Sequence, residues 1–310
     1  MKNIFLFGLF VLAILSNKAF SQVSTAVSSD VSAFKKSVLY VVLEGNTTTT
    51  NVKYTKVVDE VEIETENKEL VEDVESEYNK AVRYAMKHLW KINKFEYITE
   101  NEFEEKKFDA GSYFLINAKH KTEDKEPVEL NYLLIVEGGK KAKKVAKMNW
   151  LAGIPLAYNN VSSQYYTYKL PGLIQFLQNH LEFIFINGPS DEKKILAHYN
   201  GKTKEIKHGV LYVLAEDLTA KVFDQEAIAK VYSGEVKIVT QKQINAAIKK
   251  QDPNILYFHK VGPEKIEDTG ICRKYILAAK GGELVYISED KISKSNPEGL
   301  LNSDFKQFNK

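Results

Sequence analysis

The sequence predicts a mixed α/β (α+β) chain: two tandem, duplicated α/β sandwich-type domains with mixed sheets, after a cleaved signal peptide. Three observations predict it. The tetrapeptide VLYV stands at residues 38–41 and again at 210–213. Four further segments follow each copy in the same order, as a duplication requires. Strand-like and helix-like runs alternate early in each half, which favours parallel pairing, and a hairpin then closes each sheet.

The chain opens with the three-part layout of a secretory signal peptide. Lys2 supplies the positive start, IFLFGLFVLAIL at 4–15 the apolar block, and Ala19 and Ser21 the small residues ahead of a cut before Gln22. That block is too short for a bilayer span, which takes about 20 residues. No second long apolar block follows. The expectation is a signal peptide over 1–21, no transmembrane segment in the mature chain, and a periplasmic or extracellular address. The Lys, Asn, Ile and Glu bias points to a bacterial envelope.

Of the 43 Lys and Arg residues, Lys2 and Lys18 leave with the signal, so 41 basic residues face 41 acidic ones. A nucleic-acid binder shows a basic surplus, and that class is excluded. Cys272 is the single cysteine and has no disulfide partner within the chain. The fold must stand on its apolar core, and Cys272 reads as a small strand residue in CRKYILAA.

The first domain is expected over 22–187. Residues 38–44 read as a strand. Residues 46–68 read as a polar and acidic insertion, with 46–66 a loop. Between Asp59 and Glu77 there are ten acidic residues and one basic one, Lys68. Residues 69–92 read as a long helix, from Leu70, Val74, Tyr78, Ala81, Ala85, Leu89 and Ile92 at steps of three and four. FEYIT at 95–99 is a strand whose Thr99, with Glu102, forms a capping box for a helix over 100–108. Strands follow at 113–118, 130–137 and 150–158, then a helix over 171–185 opened by Pro171.

Residues 188–208, with NGPS and NGKT, read as a linker. The second domain, 209–310, repeats the plan. VKIVT at 236–240 matches FEYIT, and Thr240 with Gln243 repeats the capping box before a helix over 241–250. ILYFHKV at 255–261 matches YFLINA at 113–118. YILAAKGG at 275–282 matches YLLIVEGG at 132–139, and NPEGLLNSDF at 296–305 matches LPGLIQFL at 170–177. Strands are expected at 209–215, 272–279 and 284–288, turned at Gly281-Gly282, and helices at 223–232 and 303–308. The element order is similar to small modules of bacterial envelope proteins, such as the N-terminal unit of TolB-type proteins. That likeness is one of topology and carries no residue over.

Motifs for chemistry are absent. NGKT at 200–203 would need a glycine at 196 to cradle a phosphate, and Leu196 stands there. The six histidines lack ligand spacing, and no nucleophile elbow occurs. No catalytic, cofactor-binding or metal-binding residue is therefore assigned. Two features suit an interaction surface. One is the lysine run Lys140, Lys141, Lys143, Lys144 and Lys147. The other is the tyrosine cluster Tyr158, Tyr165, Tyr166 and Tyr168. Their closeness in sequence suggests one shared face.

These readings point to an exported, non-catalytic binding or assembly module whose partner is a protein or an envelope polymer. The alternatives are an envelope-polymer hydrolase with carboxylates in an inter-domain cleft, and a homo-oligomeric scaffold. Each domain is expected to fold alone.

Overall fold

VLYV becomes the central parallel strand of a five-stranded sheet, once in each half. The computed structural model describes residues 28–45, 52–58, 61–67, 75–122, 127–188, 191–263 and 269–309. The signal peptide expected at 1–21 lies outside them. In the first sheet the order is β4 (Lys94–Thr99), β1 (Val38–Leu43), β5 (Tyr113–Lys121), β6 (Glu129–Glu137) and β7 (Asn149–Tyr158). β1 is parallel to β4 and β5, and the last two pairings are antiparallel. In the second sheet the order is β9 (Glu235–Ile238), β8 (Val210–Val213), β10 (Ile255–Val261), β11 (Ile271–Ala278) and β12 (Leu284–Lys291). Strand for strand, the order and the senses are the same. Leu39 and Val41, like Leu211 and Val213, point into the core, while Tyr40 and Tyr212 lie half-buried on the opposite face.

The helices start where the caps place them. Thr99 Oγ1 accepts from the Glu102 amide and Glu102 accepts from the Thr99 amide, opening α3 (Glu100–Lys106). Thr240 and Gln243 do the same for α7 (Gln241–Lys250). Each cap contributes about 1 kcal/mol. α2 (Glu77–His88) begins later than its apolar spacing suggested, because Ser76 caps it by accepting from Asn79 N at 3.1 Å. Leu70 and Val74 lie outside the described residues. The expected loop over 46–66 is corrected: β2 (Val52–Val58) and β3 (Val61–Asn67) pair as an antiparallel ribbon.

The stretch expected to link the halves is itself folded. It forms α5 (Glu192–Asn200) and a 3-10 turn at Thr203–His208, with Ile195, Tyr199 and Ile206 buried. Asn200, from NGKT, clamps β12 by donating to Ile287 O and accepting from Ile287 N. Gly201 caps α5.

One core runs through both halves. It joins Val31 of α1 (Ser28–Lys35) and the apolar face of α4 (Leu170–Asn187) to Ile244, Ile248, Tyr257, Val261, Tyr275 and Leu277. α4 lies against α1, α2 and β7 on one side and α7 and β11 on the other. A second core, around Leu211, Phe258, Ile276 and Tyr286, is closed by α6 (Gln225–Ala229) and by Phe305 and Phe308 of α8 (Asn302–Phe308). Gly281 and Gly282, with φ of 75° and 64°, take the left-handed backbone that turns β11 into β12. The buried Lys274 ammonium is held by Asp290 and Asp304, 2.6 Å from each. Tyr286 also donates to Asp304. Polar bonds join the halves as well: His259 Nε2 donates to Pro155 O at 2.9 Å, and Asn245 Nδ2 to Tyr168 O.

Candidate ligand-binding cleft

Open α/β sheets bind ligands in the crevice beyond the carboxyl ends of their parallel strands. The carboxyl ends of β8 and β10 open on a cavity of about 380 Å³ between the two halves. Its polar groups arise locally as follows. After β8 the chain makes a 3-10 turn, Ala215–Asp217, and Leu300 N donates to Asp217 O at 2.8 Å. Gly299 sits beneath, at φ 109°, where a β-carbon would collide with the Asp217 carbonyl oxygen. β10 contributes Lys260, and Glu298 enters from the loop before α8. The first half adds Tyr165, Tyr168 and Lys169, from the 3-10 turns between β7 and α4. Leu156, Val161, Leu214, Leu218 and Pro263 form apolar walls.

The charges divide into a satisfied set and an unsatisfied one. Lys260 Nζ lies 3.6 Å from Asp217 Oδ1 and 3.0 Å from Glu298 Oε1. Burial lowers its pKa, but these carboxylates outweigh burial and hold it above the ordinary lysine value. Lys169 is only 3% exposed, and among the described residues its ammonium has no hydrogen-bond or ion-pair partner. It lies 5.0 Å from the centroid of the Tyr168 ring. Burial lowers its pKa to about 8; Asp217 and Glu216 oppose that shift and Lys260 adds to it. Asp217 Oδ2 and the Tyr168 hydroxyl are buried without a hydrogen-bond partner among the described residues. Burial, then the nearby Asp217, raises the Tyr168 pKa, so the phenol stays protonated.

A second cavity, of about 460 Å³, lies beyond the ends of β1 and β4. Four of its polar residues, Glu44, Glu75, Asn79 and Arg83, are paired. Asn79 bonds the Glu44 backbone twice, Arg83 pairs with Glu75 at 2.6 Å, and Glu44 Oε1 accepts from Asn117. Burial raises the Glu44 pKa, with Glu100 adding and Asn117 opposing.

The expected interaction residues separate. Tyr158, Tyr166 and Tyr168 are core residues, and Tyr165 alone of the four is exposed, at 39%. Tyr165 and Tyr168 line the cleft. Lys140, Lys141, Lys143, Lys144 and Lys147 are all exposed, on the connection between β6 and β7. They precede β7, whereas the tyrosines lie at its far end or beyond it. β7 separates the two groups, and its ten residues span about 30 Å. Lys169, Asp217, Lys260 and Glu298 were not singled out from sequence. Their one local signal is the His259-Lys260 pair inside the otherwise apolar ILYFHKV.

Among the described residues, no group of His, Cys, Asp and Glu could hold a metal ion. No helix among them is long and apolar enough to cross a membrane. His180 is buried and bonded through Nδ1 to the Tyr199 hydroxyl at 2.8 Å. Cys272 is buried in β11, and burial raises its pKa to about 11, so it is no ready nucleophile. Comparison with protein families, with curated proteins and with solved structures gives no match.

Proposed function

We propose that this chain is an exported, non-catalytic binding module of the cell envelope, made of duplicated lobes, whose ligand occupies the cleft between them. Export rests on the layout of residues 1–21. The common strand order and senses of the two sheets support duplication. One observation carries the binding reading: Lys169, Asp217 and Tyr168 line one cavity of ligand size, and Asp217 Oδ2 and the Tyr168 hydroxyl are buried without a hydrogen-bond partner among the described residues. Buried polar groups are normally satisfied, and each exception calls for a partner.

Asp217 and Glu298 also favour a second reading, because a hydrolase needs two carboxyl groups in such a cleft. Acid catalysis requires one of them to stay protonated near neutral pH. Both carboxylates are instead tied to the one Lys260 ammonium, an ion-pair arrangement that suits binding better.

Native mass spectrometry of the mature chain tests the binding reading, after incubation with the low-molecular-weight fraction of cells that make it. A retained adduct that the cleft-filling variant V161W loses is the expected result. An adduct equal in V161W, or none at all, would overturn it.

A further inference from the structure

We infer that the cleft takes a small zwitterion, a free amino acid or short peptide, with its carboxylate on Lys169 and its ammonium on Asp217. The inference rests on the cleft being a binding site and adds the class of ligand.

The cleft holds two ammonium groups, Lys169 and Lys260, and three carboxylates, Glu216, Asp217 and Glu298. Lys260 is engaged with Asp217 Oδ1 and Glu298, which leaves the Lys169 ammonium, Asp217 Oδ2 and the exposed Glu216 carboxylate as the remaining charges among the described residues. Lys169 and Asp217 influence each other electrostatically but form no ion pair among the described residues. A gap therefore lies between an unpaired cation and an unpaired anionic oxygen.

A simple anion would satisfy Lys169 while adding negative charge beside three carboxylates. A simple cation would satisfy Asp217 and leave Lys169 facing a third positive group. A molecule carrying both charges satisfies both ends and leaves the net charge of the cleft unchanged. The Tyr168 hydroxyl, buried without a hydrogen-bond partner among the described residues and near enough to Asp217 to feel its charge, adds a further hydrogen-bonding group. Leu156, Val161, Leu214, Leu218 and Pro263 offer walls for an apolar side chain. A volume of about 380 Å³ is of amino-acid to dipeptide size.

Calorimetric titration at pH 7 with the full mature chain tests this. The probes are the common free amino acids and their dipeptides. The best binder is then compared with its N-acetyl and carboxamide derivatives. The expected result is binding that weakens tenfold or more when either charge is removed. K169M should erase the preference over the carboxamide, and D217N the preference over the N-acetyl form. Should either variant misfold, the derivative comparison on wild type still decides. Equal binding of a blocked derivative, or no binding by any unblocked probe, would overturn the zwitterion. If a cleft-dependent adduct persists in mass spectrometry while these probes fail, the binding reading stands and the ligand class alone falls. Probe binding that V161W leaves unchanged sinks both.

Discussion

The Tyr158 hydroxyl donates to Ile271 O at 2.8 Å and accepts from Ile271 N at 3.1 Å, so one phenol at the end of β7 satisfies both backbone groups of a residue in β11. In Y158F the aromatic packing remains and the Ile271 amide and carbonyl lose this partner. The expected cost is about 1–3 kcal/mol, read as a lower urea midpoint with an unchanged slope.

A chain ending at residue 208 should not fold. The sequence alone suggested independent domains, but Ile244, Tyr257, Val261 and Leu277 belong to the core that α4 builds with the first half. Their removal exposes the α4 surface that lies against α7 and β11. A collapsed, poorly dispersed amide spectrum for residues 22–208 is the expected outcome. A well-dispersed one would sink the shared-core account.

K169M should stabilise the empty protein. The Lys169 pKa is lowered to about 8 in the folded chain, against 10.5 ordinarily. Between those values the unfolded chain binds more protons, so stability rises with pH through that window and the full penalty applies below about pH 8. Removing the amine should gain about 3 kcal/mol at pH 7. The gain should vanish near pH 10.5. Denaturation of both proteins across pH 7–10.5 checks this.

Acid should unfold the protein partly through two buried histidines. Burial, aided by the His198 charge, lowers the His180 pKa to about 4. Burial, aided by Lys169, lowers that of His259 to about 3. Both contribute stability that is complete above pH 6.5 and is lost as pH falls through the folded values. At pH 4.5 each should cost about 2–3 kcal/mol. H180F, placed among Phe176, Phe183 and Tyr199, should show a flatter stability profile between pH 7 and 4.5 than wild type.

K274M should be severely destabilising. Lys274 is fully buried and is the cation for both Asp290 and Asp304. Removing one side of such a cluster leaves a buried charge uncompensated and costs about 3–5 kcal/mol. Thermal unfolding measures the loss.

Local chemistry made much of the fold legible. The Thr99 and Thr240 caps lie within three residues of their partners, and period-two alternation marks the strands around them. The β2–β3 ribbon shows why charge can mislead. In VEIETEN the alternation is present, but the density of glutamates suggested a solvated loop. The α2 start is masked in the sequence because the apolar spacing also continues N-terminal to the Ser76 cap. The tyrosine cluster looked like a surface because sequence cannot tell a phenol bonded to a distant backbone from one facing water. The cleft was hidden for a related reason: Lys169, Asp217, Lys260 and Glu298 are remote in the chain and meet only where the 3-10 turn before α4, the turn after β8, the end of β10 and the loop before α8 come together.

The placement of α4 limits how the cleft can work. Periplasmic clamps often close on their cargo by rotating two lobes about a hinge. Here a single helix is the inner wall of both lobes, and swinging them apart would tear open a common interior. A ligand of the proposed site would therefore be admitted and discriminated at nearly constant width, by fit and charge rather than by closure.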